Sequence, residues 1–347
     1  MNILFIHQNF PGQFKHLAPT LSHAGHHVRA IQITGHEVVG VNSARYRPRR
    51  SSSNTIHPWA MDYETKLIRG EACAELAEKM RLGGYRPDII VGHPGWGEMI
   101  FLNDIWPDVP QLHFLEFFYK PDGADVGFDP EFAKTDWRSL ARVRAKNANG
   151  LINLQNMTAA YSPTYWQRSS YPLSLQERIE VIHDGIDTAK LTPDTDVQVS
   201  LGEEGLTLRP GMEVVTFVNR NLEPYRGYHQ FMRALPRLQA LRSDAIFLLV
   251  GGDGVSYGAP APDGQSWKQI FLNEVRDRVD LSRVHFLGNV SYQMFVALMR
   301  ISAAHVYLTY PFVLSWSMLE AMSCGALVVG SRTEPVESGR ASCRERA

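Results

Sequence analysis

The sequence predicts two doubly wound α/β domains in tandem. Three observations predict this fold class. The length of 347 residues suits two domains at roughly 150 residues each. Short apolar runs alternate with stretches of helical periodicity in both halves, the βαβ rhythm of a parallel sheet covered on both faces. Between residues 184 and 210 the rhythm lapses where Gly, Pro, Asp and Thr are dense. The expected organisation is an N-terminal domain over 1–185, a linker over 186–210, a C-terminal domain over 211–337 and an atypical polar tail over 338–347.

Residues 2–7 predict the first strand and 13–24 the helix after it, stopped by Gly25. A second strand is expected within 27–34. Between Tyr63 and Arg81, Ile68, Ala72, Leu76 and Met80 recur at steps of four, the stripe of an amphipathic helix. Further buried strands are predicted at 88–91 and 111–118, and a helix over 137–154. After the lapse, a strand at 214–218 precedes a helix carrying Phe231, Leu235 and Leu238. The apolar run at 245–250, closed by Gly251 and Gly252, predicts the next strand. Trp267, Phe271, Val275 and Val279 form another step-of-four face. A strand at 284–287, a helix from Ser291, a strand at 305–308, a helix from Ser315 and a strand at 326–329 complete the second half. No short internal repeat is visible.

Hydrophobic residues make up 44% of the chain and charged residues 20%, enough to bury about three-quarters of the unfolded surface. With 27 Gly and 20 Pro the chain is neither collagen-like nor of low complexity. Lys+Arg 35 against Asp+Glu 36 leaves a formal charge of −1, without the basic field of a dedicated DNA binder, so no nucleic-acid partner is expected. The longest apolar run falls far short of the ~20 residues that span a bilayer. The opening MNILFIHQNF reaches His7 after four apolar residues and is not read as a secretory signal. Cys73, Cys324 and Cys343 are an odd number without metal-ligand spacing, which fits the reducing cytosol.

Open α/β sheets bind ligands beyond the carboxyl ends of their strands, at the switch point. The loops after predicted strands are therefore the places to search. After the first strand, Gly12 lets the backbone approach a ligand at a helix start. His93 lies between flexible joints in GHPGWGE, and Glu116 sits amid aromatic residues in HFLEFFY. Taken singly, His93 reads equally well as a cap and Glu116 as the partner of an arginine. Their shared topological position favours function for the set. No G-x-G-x-x-G or Walker pattern follows a strand, so a nicotinamide cofactor is not expected.

In the second half, Arg220 and Arg226 flank a loop that opens a helix and can converge on a diphosphate. Two solvated surface arginines are the plainer local reading. Ser315 is a reasonable N-cap, and amides around Leu314 to Ser317 would attract phosphate. Glu320, about one and a half turns along that helix, can accept hydrogen bonds from vicinal hydroxyls such as those of ribose, although such a glutamate is ordinarily exposed. Asp194-Thr195-Asp196 mimics a D-x-D metal motif but lies in the expected linker, so no metal is assigned. Arg45, Arg47, Arg49 and Arg50 read as the wet face of an edge strand, with weak peripheral membrane contact as the alternative.

Taken in order, NR…EPYRG, LLVGGDG, FLGNVSY and SMLEAMSCG resemble the family 4 retaining glycosyltransferases of GT-B architecture. VIHDGID resembles the family's crossing between domains, and NILFIHQNFPGQF, HPGWGE and LEFFY resemble the N-terminal domain of one bacterial branch. The resemblance implies two Rossmann-like domains facing each other across a cleft, the second incomplete at its C-terminus. It implies transfer from a nucleoside diphosphate-sugar donor to a carbohydrate or lipid-linked hydroxyl acceptor by same-face substitution. No metal or other cofactor is expected, and the implied setting is glycan synthesis in the cytoplasm or at the inner face of the membrane. Arg220 matches the arginine that binds the donor diphosphate, and Arg226 stands where the family usually has lysine. Glu320 matches the second glutamate of a pair separated by seven residues, and Phe312 stands where the first is expected. Arg220, Arg226 and Glu320 are thus the expected catalytic set. Gly12, Leu314 and Ser315 are further donor-binding candidates, and His93, Glu116 and Phe312 lie on the acceptor or sugar side. A nucleotide-sugar epimerase or hydrolase, or a binding module without turnover, are the alternatives.

Overall fold

The structure, a computed structural model, describes residues 1–134, 136–202 and 205–337. The polar tail at 338–347 lies outside the described residues. The chain divides into two compact units, Met1–Gly185 and the residues from Ile186 onward.

In the first unit, β1 (Asn2–Ile6), β2 (His27–Gln32), β3 (Asn42–Arg45), β4 (Ile89–Gly92), β5 (Gln111–Phe114), β6 (Ala159–Ser162) and β7 (Ile179–Val181) form a parallel sheet. The order is β3-β2-β1-β4-β5-β6-β7, so the direction of winding reverses between β1 and β4. Alternate side chains of β1 serve opposite faces. Leu4 and Ile6 pack with Ala72, Cys73 and Ala77 of the helix Met61–Leu82, while Ile3 and Phe5 pack with Phe14 and Ala18. Cover on both faces is why this strand reads as an unbroken apolar run.

Two predicted helices are divided. The stretch 13–24 becomes a 3-10 turn, Gly12–Phe14, and a helix, Leu17–His23. Pro19 has no N–H to give and would clash with the carbonyl four residues back, so a continuous helix is excluded there. The stretch 137–154 becomes Trp137–Lys146 and Ala148–Asn153. At the break, Asn147 turns its amide onto Tyr119, accepting from the backbone N–H at 3.1 Å and donating to the carbonyl at 2.7 Å. The strand expected over 111–118 stops at Phe114. β3 is an edge strand, as the arginine alternation suggests, although only Arg45 of that series lies within it.

In the second unit, β8 (Val199–Leu201) and β9 (Leu206–Leu208) form an antiparallel hairpin. Val199 and Leu208 are buried with Val214, Leu248 and Leu298, so the stretch read as a linker packs on the second core. β10 (Val214–Asn221), β11 (Ile246–Gly252), β12 (Val284–Gly288), β13 (Ala304–Tyr307) and β14 (Leu327–Gly330) form a parallel sheet ordered β12-β11-β10-β13-β14. Its winding reverses between β10 and β13. Among the described residues, no helix is long and apolar enough to cross a membrane.

Candidate functional site

At the carboxyl ends of β10, β11 and β12 the second unit holds a cavity of about 590 Å³, beside the switch point of its sheet. Arg220, Arg226, Ser315 and Glu320 all line it. The register of β10 against β11 shifts between Val218 and Asn221, a bulge that carries Arg220 to the end of the strand, where it is exposed. Arg226 ends the 3-10 turn Pro224–Arg226 and is buried. Its Nη1 donates to Thr309 Oγ1 at 2.8 Å and to the Tyr307 hydroxyl at 3.4 Å, which fixes the guanidinium from the β13 side. Gly227 follows with φ +68°, and a Cβ there would lie 2.3 Å from that of Leu308, so the close approach of the two loops requires glycine.

Ser315 caps the helix Trp316–Ser323, its Oγ accepting from Ser317 N–H at 3.3 Å. The Ser315 N–H itself donates to the Tyr307 hydroxyl at 3.2 Å. Two of the amides expected to await phosphate are therefore already engaged. Leu314 does not line the cavity and packs with Tyr307, Met318 and Val336. Glu320 is buried, contrary to the ordinary expectation for a mid-helix glutamate, and its Oε1 accepts from the Tyr292 hydroxyl at 2.9 Å. Desolvation of the hydroxyl at the cavity wall, with the Glu320 carboxylate beside it, pushes the phenol of the otherwise exposed Tyr292 above its usual range. Phe312 is buried against Tyr225 and Tyr257, with ring centroids 5.6 and 5.3 Å away, and does not line the cavity. Tyr292, Tyr257 and Glu223 also line it, and sequence reasoning gave none of them a role.

The first unit gathers a second polar set at its own switch point. His7 follows β1, His93 follows β4 and Glu116 follows β5. Glu116 accepts from Gln13 Nε2 at 3.0 Å through Oε1 and faces His93 Nε2 at 3.4 Å through Oε2. His93 Nδ1 accepts from Gly95 N–H at 3.0 Å, so its proton belongs on Nε2, toward Glu116. His7 repeats the pattern, with Nδ1 accepting from Asn9 N–H at 3.0 Å and Nε2 against Gln13 Oε1 at 2.8 Å. Burial, helped by the neighbouring His93, lowers the His7 imidazole to about 4. Burial opposes ionisation of Glu116, but the hydrogen bonds from His93 and Gln13 outweigh it and hold the carboxyl below its usual range.

The structure thus joins His93 and Glu116, as residue pairing, and brings His7 and Gln13 to them. Gly12 has φ +48°, and a Cβ there would lie 2.4 Å from the His7 ring. The space left by its missing side chain is taken by the His7 ring. The acid of HPGWGE, Glu98, turns into the core, where its carboxylate accepts from the Tyr46 hydroxyl at 2.5 Å. Asp194 of the D-x-D look-alike faces Arg300 at 3.5 Å.

Residues 24–191 match a family model described as Glycosyl transferase family 4 group, and residues 204–338 match one described as Glycosyl transferases group 1. No curated protein matches the sequence. Among solved structures, a sucrose-phosphate synthase from Thermosynechococcus elongatus is similar, with 15% identity over 96% of this chain and 82% of that one and a TM-score of 0.64. The catalytic domain of starch synthase IV from Arabidopsis thaliana, bound to ADP and acarbose, gives 15%, 97%, 84% and 0.62 in the same order. A putative UDP-N-acetylglucosamine 2-epimerase from Listeria monocytogenes gives 12%, 95%, 78% and 0.53. At such identities the likeness is one of fold. With two adjacent glycosyltransferase models matched along it and two Rossmann-like units to carry them, the chain belongs to the glycosyltransferases of the GT-B class.

Proposed function

We propose that the protein transfers a hexose from a nucleoside diphosphate donor to a hydroxyl of a carbohydrate or lipid-linked acceptor, with retention of anomeric configuration. The observation that carries this reading is the single cavity at the second switch point onto which Arg220, Arg226 and Glu320 all open. Departure of the diphosphate from the sugar concentrates negative charge on its oxygens. Two guanidiniums, one already held in place by Thr309, meet that charge with little reorganisation. Glu320 accepts from vicinal hydroxyls of the ribose, its carboxylate shared with the Tyr292 hydroxyl. In same-face substitution the acceptor oxygen forms its bond to the anomeric carbon as the bond to diphosphate breaks, and the acceptor proton passes to the leaving diphosphate. The arginines supply the positive charge, so the reading assigns no role to a metal or other cofactor. His93 and Glu116 serve the acceptor or sugar side. The setting is glycan or cell-surface polysaccharide synthesis, in the cytoplasm or at the inner face of the membrane.

Incubation with radiolabelled UDP-, GDP- and ADP-sugars and mixed glycan acceptors tests the reading. Transfer with a retained anomeric centre by NMR supports it, and the absence of both transfer and donor hydrolysis overturns it. The likeness to an epimerase supports a second reading, conversion of the donor sugar itself. Product analysis without acceptor separates the two, because an isomerised nucleotide sugar requires no acceptor.

A further inference from the structure

Glu223 is fully buried in the loop between β10 and the helix Tyr228–Leu241. Its Oε1 accepts from Ser256 N–H at 3.0 Å and Tyr257 N–H at 3.3 Å. Its Oε2 accepts from Gly258 N–H at 3.0 Å and again from Tyr257 N–H at 3.3 Å. Three successive backbone N–H groups converging on one point form a nest for an anion. Here the chain fills the nest itself. Between β11 and the 3-10 turn Pro262–Gly264 the backbone is neither helix nor strand, so its shape depends on such side-chain ties.

Other contacts reinforce this one. Asn221 Nδ2 donates to Ser256 Oγ at 2.7 Å. The Tyr257 ring stacks on Tyr225 at 5.3 Å, and the Arg226 guanidinium lies 4.8 Å from its centroid. A Cβ on Gly258 would stand 3.3 Å from Glu223 Oε2, so the tie leaves little room for a side chain there. Ser256 and Tyr257 form part of the cavity wall beside Arg226.

We propose that Glu223 is a positioning residue, a built-in anion that locks the Ser256–Gly258 turn and so holds Tyr257 against Arg226 in the orientation the donor diphosphate needs. This rests on the donor reading above. Removing the carboxylate frees three N–H groups at once, lets Tyr257 leave Arg226 and loosens one wall of the cavity. A small carboxylate supplied from solution replaces the missing anion.

The test compares wild type with Glu223→Ala and the milder Gly258→Ala, which crowds the carboxylate from the turn side. Calorimetry with UDP, ADP and GDP gives binding, and hydrogen exchange over residues 253–261 reports the turn, each with and without acetate. The expected result is faster exchange in Glu223→Ala and about tenfold to a hundredfold weaker binding of the tightest of the three nucleotides. Acetate recovers part of both, and Gly258→Ala shows a smaller loss. Binding by wild type that Glu223→Ala retains in full overturns the inference alone. So does a loss that acetate does not touch, which makes Glu223 ordinary core. If wild type binds none of the three nucleotides, the donor reading falls and the inference falls with it.

Discussion

Tyr292 donates its phenolic hydrogen to Glu320 at 2.9 Å, so the acid expected to hold a diol already holds one hydroxyl within the cavity wall. Tyr292 is 53% exposed and Glu320 5%, which places the donor toward solvent and the acceptor beneath it. A ribose reaching Glu320 competes with Tyr292 or shares the carboxylate with it. Tyr292→Phe removes the competitor and leaves a buried carboxylate wanting a donor. The variant is expected to bind the preferred nucleoside diphosphate roughly two- to tenfold more tightly, while losing a little thermal stability. Glu320→Gln is expected to weaken the same binding. Calorimetric titration of both variants checks the pair, and unchanged affinity in both removes Glu320 from the nucleotide site.

Arg226→Ala removes a buried guanidinium and is expected to weaken donor binding by about 1.5–3 kcal/mol, roughly 10- to 150-fold. Arg226→Lys keeps the charge but cannot reproduce the fork toward Thr309 and Tyr307 or the planar contact with Tyr257, so it recovers only part of the loss. Arg220→Ala acts on an exposed side chain and is expected to lower turnover with less effect on stability. Donor dissociation constants and initial rates for the three variants, with and without a chelator, check this. Activity abolished by chelation would contradict the metal-free assignment.

Gly227→Ala forces a side chain into φ +68° and brings its Cβ within 2.3 Å of Leu308. A destabilisation on the order of 1–3 kcal/mol is expected, together with weaker donor binding because Arg226 is the preceding residue. Chemical denaturation read alongside nucleotide affinity measures both effects. An alanine variant with wild-type stability would show that the loop has room to move.

Burial lowers three imidazoles from 6.5 to about 4, those of His7 and His113 in the first unit and His305 in the second; His93 adds to the effect at His7 and His113. Between pH 4 and 6.5 the unfolded chain therefore binds more protons than the folded one at these positions, and stability rises with pH. Each group contributes at most about 1.4 kcal/mol per pH unit within that window. The depressed Glu116 carboxyl acts in the same direction at lower pH, since its contribution is lost as pH falls through its folded value. Melting temperatures are expected to fall steadily from pH 6.5 to 4, and His113→Gln should flatten the slope. A melting temperature independent of pH across that range would contradict these buried neutral histidines.

The parts of the molecule legible in the sequence are those decided by near neighbours. β1 and β11 announce themselves because both faces are covered, and Ser315 announces a helix start that the structure confirms. Glu320 and the arginines stand out as candidates by their place after strands, but it is the resemblance to the family that assigns them to a donor. What stayed hidden depends on partners far along the chain. Glu223 finds its amides 33 to 35 residues later, Glu320 finds Tyr292 28 residues earlier, and Glu98 turns inward to Tyr46 at a separation of 52. No periodicity encodes such pairings. The two divided helices failed to show for a different reason, because a proline or one asparagine overrode a favourable apolar pattern.

The paired histidine loops carry one more implication. In His7 and in His93 the backbone two residues ahead claims Nδ1, and His183 does the same with Gly185 N–H at 2.9 Å. The tautomer is therefore written into the turn, independent of what stands opposite the other nitrogen. The N–H of these rings therefore sits on Nε2, while its partner is set elsewhere, by Gln13 for His7 and Glu116 for His93. Exchanging those partners would turn a neutral dipole into an acid–base couple, or the reverse, without disturbing either imidazole. What each Nε2 meets is thus set at Gln13 and Glu116, with the histidines as the constant parts.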